Sequence, residues 1–346
     1  MRFKVLSAFL IITLFGSVCF ASVNKTELVV MTHDSFSASK KVIQQFEKKS
    51  GIKLKFLKAG DTGAALNQAI LSKANPLADV FYGIDNTYLT RALKADMFLS
   101  YVSPELKNID KQYQLDPDNT LLPVDFGDVC LNYDKNWFKE KKLTPPQNLD
   151  DLILPEYKDL TVVENPATSS PGLAFLLATI SKYGEAGFLK YWKALRENNV
   201  LVTNGWNSAY WGEFTAASKG KRPIVVSYAS SPPATVYYSE TPIKESPTAA
   251  VVSDESAFRQ IEFVGIFKKS PKVKAAKLFV DFMLGREFQE DLPLQMFVFP
   301  VNNQAKYPQV FKDHAVIATK PAFISSTAIS ENREKWIEQW AEVVIR

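Results

Sequence analysis

The chain of 346 residues has only two cysteines and two histidines, and no long apolar run beyond its N-terminal stretch. Each scarcity excludes a class of protein. Cys19 lies in that stretch, so a mature chain keeps Cys130 alone and cannot form an internal disulfide. A zinc centre of cysteines and histidines is out of reach for the same reason. His33 and His314 sit in unrelated settings and no GxSxG pattern occurs, which leaves a Ser-His-Asp triad without a visible nucleophile. Neither a P-loop nor a dinucleotide fingerprint is present. Charge is scarce as well: the net formal charge is +4, and it falls to +2 without Arg2 and Lys4. Such a balance gives no electrostatic reason to expect nucleic acid as a partner. An enzyme is the weaker expectation, and a secreted hydrolase is the least supported of the readings weighed below.

What is present begins at the N terminus. MRFKVLSAFLIITLFGSVCFA has two early cations, an apolar run from Val5 to Phe15 and small residues ending on Ala21. It reads as a secretory signal peptide, residues 1–21, cleaved after Ala21. Val18 fits poorly ahead of Cys19 in a lipoprotein box. The mature chain is expected to be an exported, periplasmic, soluble monomer.

From there the order is strand, polar loop, helix, three times over. Strands at Leu28–Met31, Lys53–Leu57 and Asp79–Tyr82 are followed by the loops Thr32–Phe36, Gly60–Gly63 and Gly83–Asn86. Each loop then opens an amphipathic or apolar helix. This is the pattern of a parallel α/β sheet with crossover helices, with every loop on one edge. Leu121–Tyr133 breaks the rhythm as a long extended segment, and Ile261–Phe267 reads as the return strand. Two long strands crossing between two lobes divide the chain. Residues 22–124 with about 266–310 make the first lobe and 125–265 the second, while 311–346 form a C-terminal helical segment packing on both. Trp336 and Trp340 of that segment, four residues apart, are expected in the core, as is Cys130.

The central stretch is TNGWNSAYWGEFTAASKGKRPIVVSYASSPP, Thr203–Pro233. Trp206 and Tyr210 share a face if helical. The strand Ile224–Ser227 delivers Tyr228 and Ser230 to a sheet edge, where open α/β sheets bind ligands. Facing them from the first lobe are His33, Asp34, Ser35, Asp61, Thr62 and Asp85, and Ser169 and Ser170 stand at the start of a helix. Asp34, Asp61 and Asp85 each serve equally well as helix caps. Taken together with the aromatic residues, they suit a cationic aromatic ligand, held by ring quadrupoles and by charge-assisted hydrogen bonds.

The motifs THDSF at 32–36, ADVFYGIDN at 78–86, PVDFGDVCLNYDKN at 123–136, TSSPGLAFLL at 168–177, VTNGW at 202–206, VSYASSP at 226–232 and WIEQW at 336–340 carry a resemblance. Along essentially its whole mature length the chain resembles the periplasmic thiamine-binding proteins, the solute receptors of thiamine ABC importers. The resemblance implies a type II periplasmic binding fold, two α/β lobes closing on thiamine, often also its mono- and diphosphate, with delivery to a membrane permease. No cofactor is implied. Position by position, Asp61 matches the acid near the pyrimidine ring, with Thr62 replacing a glycine. Ser169 matches a polar contact for the hydroxyethyl or phosphate end, and Trp206 and Tyr228 match ring contacts. His33 stands where the best-known members have tyrosine, Phe297 where tryptophan is usual and Ala234 where tyrosine is usual, with Tyr237 placed to stand in. A competing reading of the same fold is an Fe(III) receptor, supported by Tyr237-Tyr238 and His33; the bland alternative for the adjacent tyrosines is a surface element with one ring buried.

Overall fold

The computed structural model describes residues 26–346, so the leader, its cleavage after Ala21 and Cys19 lie outside the described residues. The first three strands, β1 (Glu27–Thr32), β2 (Lys53–Lys58) and β3 (Val80–Asp85), are parallel. β2 is the edge, and its Lys53, Lys55 and Lys58 face water, which protects an open strand from pairing with another chain. The helix Lys40–Ser50 joins β1 to β2. Ser39 caps it by accepting from Val42 N at 3.2 Å, and Gly51 ends it at φ 73°. The helix Thr62–Leu71 joins β2 to β3 with Asp61 as its cap. β3 runs on through Asp85, where the sequence alone suggests a loop. The antiparallel return strand supplies partners there, Phe263 for Ile84 and Glu262 for Asp85.

A short β4 (Phe98–Leu99) precedes the long β5 (Leu122–Asp134). β6 (Thr161–Glu164), β7 (Leu201–Thr203), β8 (Ile224–Tyr228), β9 (Thr248–Val251), β10 (Phe258–Phe267) and β11 (Phe299–Pro300) follow. The main sheet order is β2-β1-β3-β10-β5-β8-β6-β7. β5 pairs with β10 from Leu122 to Val129, then with β8 from Val129 to Tyr133. β10 lies between β3 and β5. These two long strands lie side by side in the sheet, with β3 flanking β10 and β8 flanking β5. Arg259 on β10 clamps Asp128 on β5 through two bonds of 2.8 and 3.0 Å, and Asp128 also accepts from Ala318 N at 2.7 Å. A planar guanidinium fixes both distance and orientation of the carboxylate, so the crossing is rigid here. Cys130 beside it is fully buried, and burial pushes its thiol well above the usual range. It is inert core.

The helix Ser170–Glu197 is longer than its first apolar run suggests, but Gly184 breaks it at φ 70°, ψ 169°, one residue past the end read from the sequence at Tyr183. The C-terminal helix Ser326–Val344 touches both halves. Trp340 is wholly buried and meets Trp192 edge-on with ring centroids 5.6 Å apart, while Arg333 lies 4.6 Å above the Tyr88 ring. Truncating a buried tryptophan leaves a cavity that the surrounding helices fill only in part. Trp340→Ala is therefore expected to cost about 3–5 kcal/mol of stability. Urea denaturation followed by circular dichroism checks this, and an unchanged midpoint would show that the C-terminal helix contributes little to the core.

Candidate functional site

A cavity of about 220 Å³ opens between the two halves of the sheet. Its wall holds His33, Asp61, Thr62, Ser170, Trp206, Tyr210, Tyr228 and Phe297 of the residues singled out in the sequence, together with Ser35 and Trp211. Asp34, Asp85, Ser169 and Ser230 are not on it. Asp34 engages through its backbone, accepting from Lys58 Nζ at 2.9 Å. Asp85 is buried behind the wall and accepts from Thr87 N at 2.7 Å and from the Ser170 hydroxyl. Ser169 is fully buried as the residue preceding the helix, and the Ser230 hydroxyl donates to Phe297 O at 2.6 Å. These four shape the wall from behind.

Asp61 is the joint between the lobes. Its Oδ1 accepts from Thr62 N at 2.7 Å and from Ser170 N at 3.4 Å, and its Oδ2 accepts from Trp206 N at 3.1 Å. The last two donors start elements of the other half. The Ser170 bond puts the carboxylate at a helix N terminus, where the dipole favours a negative charge. Burial pushes the Asp61 pKa up, while the Trp206 N–H, the His33 charge and the Thr62 N–H pull against that. Gly205 is required for this approach, because a Cβ there would stand 2.9 Å from Asp61 Oδ2. The acid and the helix start thus share one corner of the cavity, rather than serving its two ends as the resemblance implies.

Trp206 and Tyr210 stack with centroids 4.9 Å apart and planes 19° apart. They do so on a helical turn that passes into a π-type turn, Ala209–Glu213. Trp206 Nε1 donates to Ser227 Oγ at 2.9 Å, which fixes the indole plane. Phe297, on the wall, adopts φ 54°, a left-handed backbone that L-residues rarely take, and the Ser230 bond to its carbonyl helps to hold it there. Tyr238, not Tyr237, lines the cavity near Ala234. The helix Pro232–Tyr237 ends just before it, and its ring packs on Phe297 at 5.6 Å. Both tyrosines are about half exposed, so neither ring is buried as the bland reading has it. Their rings pack tilted against Phe297 while His33 turns to a carboxylate, and among the described residues no group of three or more His, Cys, Asp or Glu side chains could hold a metal ion.

The sequence reading missed the other charged partner. Glu262 on β10 lies on the wall, with Oε1 3.4 Å from His33 Nε2. Tyr82 Oη stands 3.1 Å from Glu262 Oε2 and 2.6 Å from Asp125 Oδ2. Burial and the neighbouring Glu262 push Asp125 well above the usual carboxylate range. Burial also resists ionisation of Glu262, yet the His33 charge and the hydrogen bonds outweigh it and hold its pKa below the ordinary value. The two shifts run in opposite directions, so a proton shared by this pair favours Asp125 over Glu262. Gly83, at φ 102°, makes room for the imidazole, since a Cβ would stand 2.3 Å from His33 Cδ2. Gln260 and Met296 complete this part of the wall.

A buried carboxylate pair, several rings and a closed joint between lobes form a receptor for a small organic solute, and comparison with known proteins agrees. The bacterial extracellular solute-binding protein family matches residues 75–327. The thiamine-binding periplasmic protein of Escherichia coli K12 is 32% identical over 327 residues, 93% of this chain and 94% of that one. Its counterpart from Brucella melitensis is 31% identical, covering 93% of each. A solved periplasmic thiamin binding protein superposes with a TM-score of 0.83 at 28% identity, covering 94% of this chain and 98% of that one. The ferric binding protein of Campylobacter jejuni follows at a TM-score of 0.72 and 23% identity, which speaks for the fold alone. The type II periplasmic binding fold stands, no enzyme family is involved, and the chain belongs to the bacterial extracellular solute-binding proteins.

Proposed function

We propose that the protein captures thiamine in this cavity and passes it to the membrane permease of an ABC importer, with thiamine mono- and diphosphate as further cargo. One observation carries the reading beyond its relatives' names: among the described residues the wall combines two carboxylates and six aromatic side chains with neither lysine nor arginine. Thiamine joins a quaternary thiazolium to an aminopyrimidine, and rings with carboxylates complement both halves. Asp61 receives the aminopyrimidine amine. Trp206, backed by Tyr210, supplies one ring face, with Tyr228, Phe297 and Tyr238 as the others. Ser170 rather than Ser169 offers the polar contact at the helix start. Because the wall lacks a permanent cation, the expected order of affinity is thiamine, then monophosphate, then diphosphate.

The lobes divide near residues 125 and 265, where β5 and β10 cross, and 311–346 form the C-terminal segment bridging them. The protein works in the periplasm as a monomer after cleavage at Ala21. Binding across both lobes favours the closed state. Calorimetry on protein stripped by unfolding and refolding is expected to give one-to-one binding of thiamine. Trp206→Ala removes a desolvated cation–π contact worth about 2 kcal/mol, so its affinity should drop by roughly thirtyfold. Binding unchanged in that variant for every thiamine form would displace Trp206 from the site. No heat with any form, from folded protein, would end the thiamine reading.

A further inference from the structure

Among the described residues the cavity wall has one group able to carry positive charge, His33, and its Nε2 already faces the Glu262 carboxylate at 3.4 Å. A cationic ligand and a protonated imidazole cannot both be neutralised by that carboxylate. We propose that Glu262 is the counter-ion of the ligand's cation and that His33 is its placeholder, so that capture of one cation releases one proton from His33 to solvent.

The proposal rests on the reading of thiamine as ligand, and it extends that reading to two roles that neither the fold nor the relatives' names assign. Geometry supports it from each element around the imidazole. From β10 comes Glu262; from the loop before the helix Thr62–Leu71 comes Asp61; and Asp34 adjoins His33 along the chain. From β3, Tyr82 packs its ring 5.8 Å from the imidazole and points its hydroxyl at Glu262 and at Asp125 of β5. Asp125 pairs with Glu262 in the strand register, and burial and Glu262 push its pKa well up, so Glu262 is the better bearer of the charge. Gly83 closes against the ring and fixes its position. Burial alone would strip His33 of its proton, but the Glu262 carboxylate, then Asp61 and Asp34, reverse this and raise its pKa above the ordinary value. His33 is therefore the counter-charge of Glu262, while Asp61 is held by the N–H groups of Thr62, Ser170 and Trp206. Replacing N–H⁺ by a thiazolium leaves that balance unchanged: one positive charge departs to the buffer as one arrives. A neutral ligand of the same shape would release nothing and would leave His33 and Glu262 paired.

The experiment is calorimetry of the full mature protein with thiamine, at one pH near 7, in buffers of different ionisation enthalpy. The dependence of heat on buffer gives the protons exchanged. The wild type is expected to release up to one proton per thiamine, the fraction set by how much of His33 is protonated at that pH. His33→Gln, which cannot hold the charge, is expected to release none, and Glu262→Gln to bind thiamine at least about tenfold more weakly. The chain has only two histidines, so imidazole C–H resonances follow His33 directly if either variant fails to fold. One histidine should lose at least about one pKa unit when thiamine saturates the wild type, and the other should not move. Tight thiamine binding with no proton release, or with both histidines unmoved, would overturn the exchange while leaving the receptor standing. Release that persists in His33→Gln would show the proton comes from another group and overturn it equally. If folded wild type bound no thiamine at all, the parent reading would fall and take this one with it.

Discussion

Asp61→Ala is expected to lower thiamine affinity by about 100-fold or more, the loss of roughly 3 kcal/mol when a charged acceptor of two or more hydrogen bonds is removed from a buried site. The size of the effect follows from what Asp61 holds in addition to the ligand. Its two oxygens collect N–H groups from Thr62 on its own side and from Ser170 and Trp206 on the other. Alanine leaves those donors without their acceptor and loosens the closure of the cleft as well as the contact with the aminopyrimidine. The lost helix cap also costs stability, about 1 kcal/mol. Asp61→Asn keeps an acceptor and the cap, so its loss should be distinctly smaller. Calorimetry ranks the three proteins. Should Asp61→Ala bind within about threefold of wild type, Asp61 would be a structural joint only and the aminopyrimidine would lie elsewhere.

Much of the fold is legible in the sequence because its signals are local. The early strands show as short apolar runs or, in β2, as apolar residues alternating with lysines, their helices open on residues such as Ser39 and Asp61 that cap them, and β5 shows as a long extended run. The misses mark where a partner distant in sequence decides the conformation. β3 extends through Asp85 only because β10 pairs with it, and Gly184 interrupts a helix whose apolar pattern resumes on the far side at Phe188 and Trp192.

The site was less legible, and for a related reason. Sequence shows which residues are polar or aromatic near a strand end, but not the phase that turns a side chain inward. Of the neighbouring serines, Ser170 reaches the wall and Ser169 is sealed behind it; of the adjacent tyrosines, Tyr238 lines the cavity because the helix has just ended. Glu262 gave no local signal. A single acid in an apolar strand resembles a solvent-facing position, and its burial depends on β10 lying between β3 and β5. Asp125 was visible as an acid within an extended run, yet its partners Tyr82 and Glu262 are 43 and 137 residues away along the chain.

That buried carboxyl cluster leads to the second large effect, a stability that declines as pH rises. Ligand-free protein is expected to melt at a higher temperature at pH 5 than at neutral pH and to weaken progressively towards pH 8. Burial lifts Asp85 from 3.8 to about 7. Between those values the native state holds a proton that the unfolded chain has lost, so stability falls with rising pH across that window. Over the whole window the effect is about 4 kcal/mol at most. Asp61 and Asp125 are raised in the same sense, as is Glu164, whose two oxygens are buried without a protein partner. His33 adds to the trend: its raised pKa contributes stability present below 6.5 and lost as pH climbs through the folded value. Glu262 opposes it, with the more exposed Asp96, Asp150 and Glu290, and only in more acid solution, because a depressed carboxyl pKa contributes stability that is lost as pH falls through the folded value. Asp85→Asn, which mimics the protonated acid and retains an acceptor for Thr87 N, should flatten the slope between about pH 5 and 7. Thermal melts of both proteins across this range test the account, and a wild-type melting temperature that rises towards pH 8 would refute it. Thiamine capture runs the other way, since a cation displaces the His33 proton more easily as pH rises. The conditions that hold the empty receptor most firmly are then those in which it holds its cargo least, and acidification would favour release of the ligand without unfolding the protein.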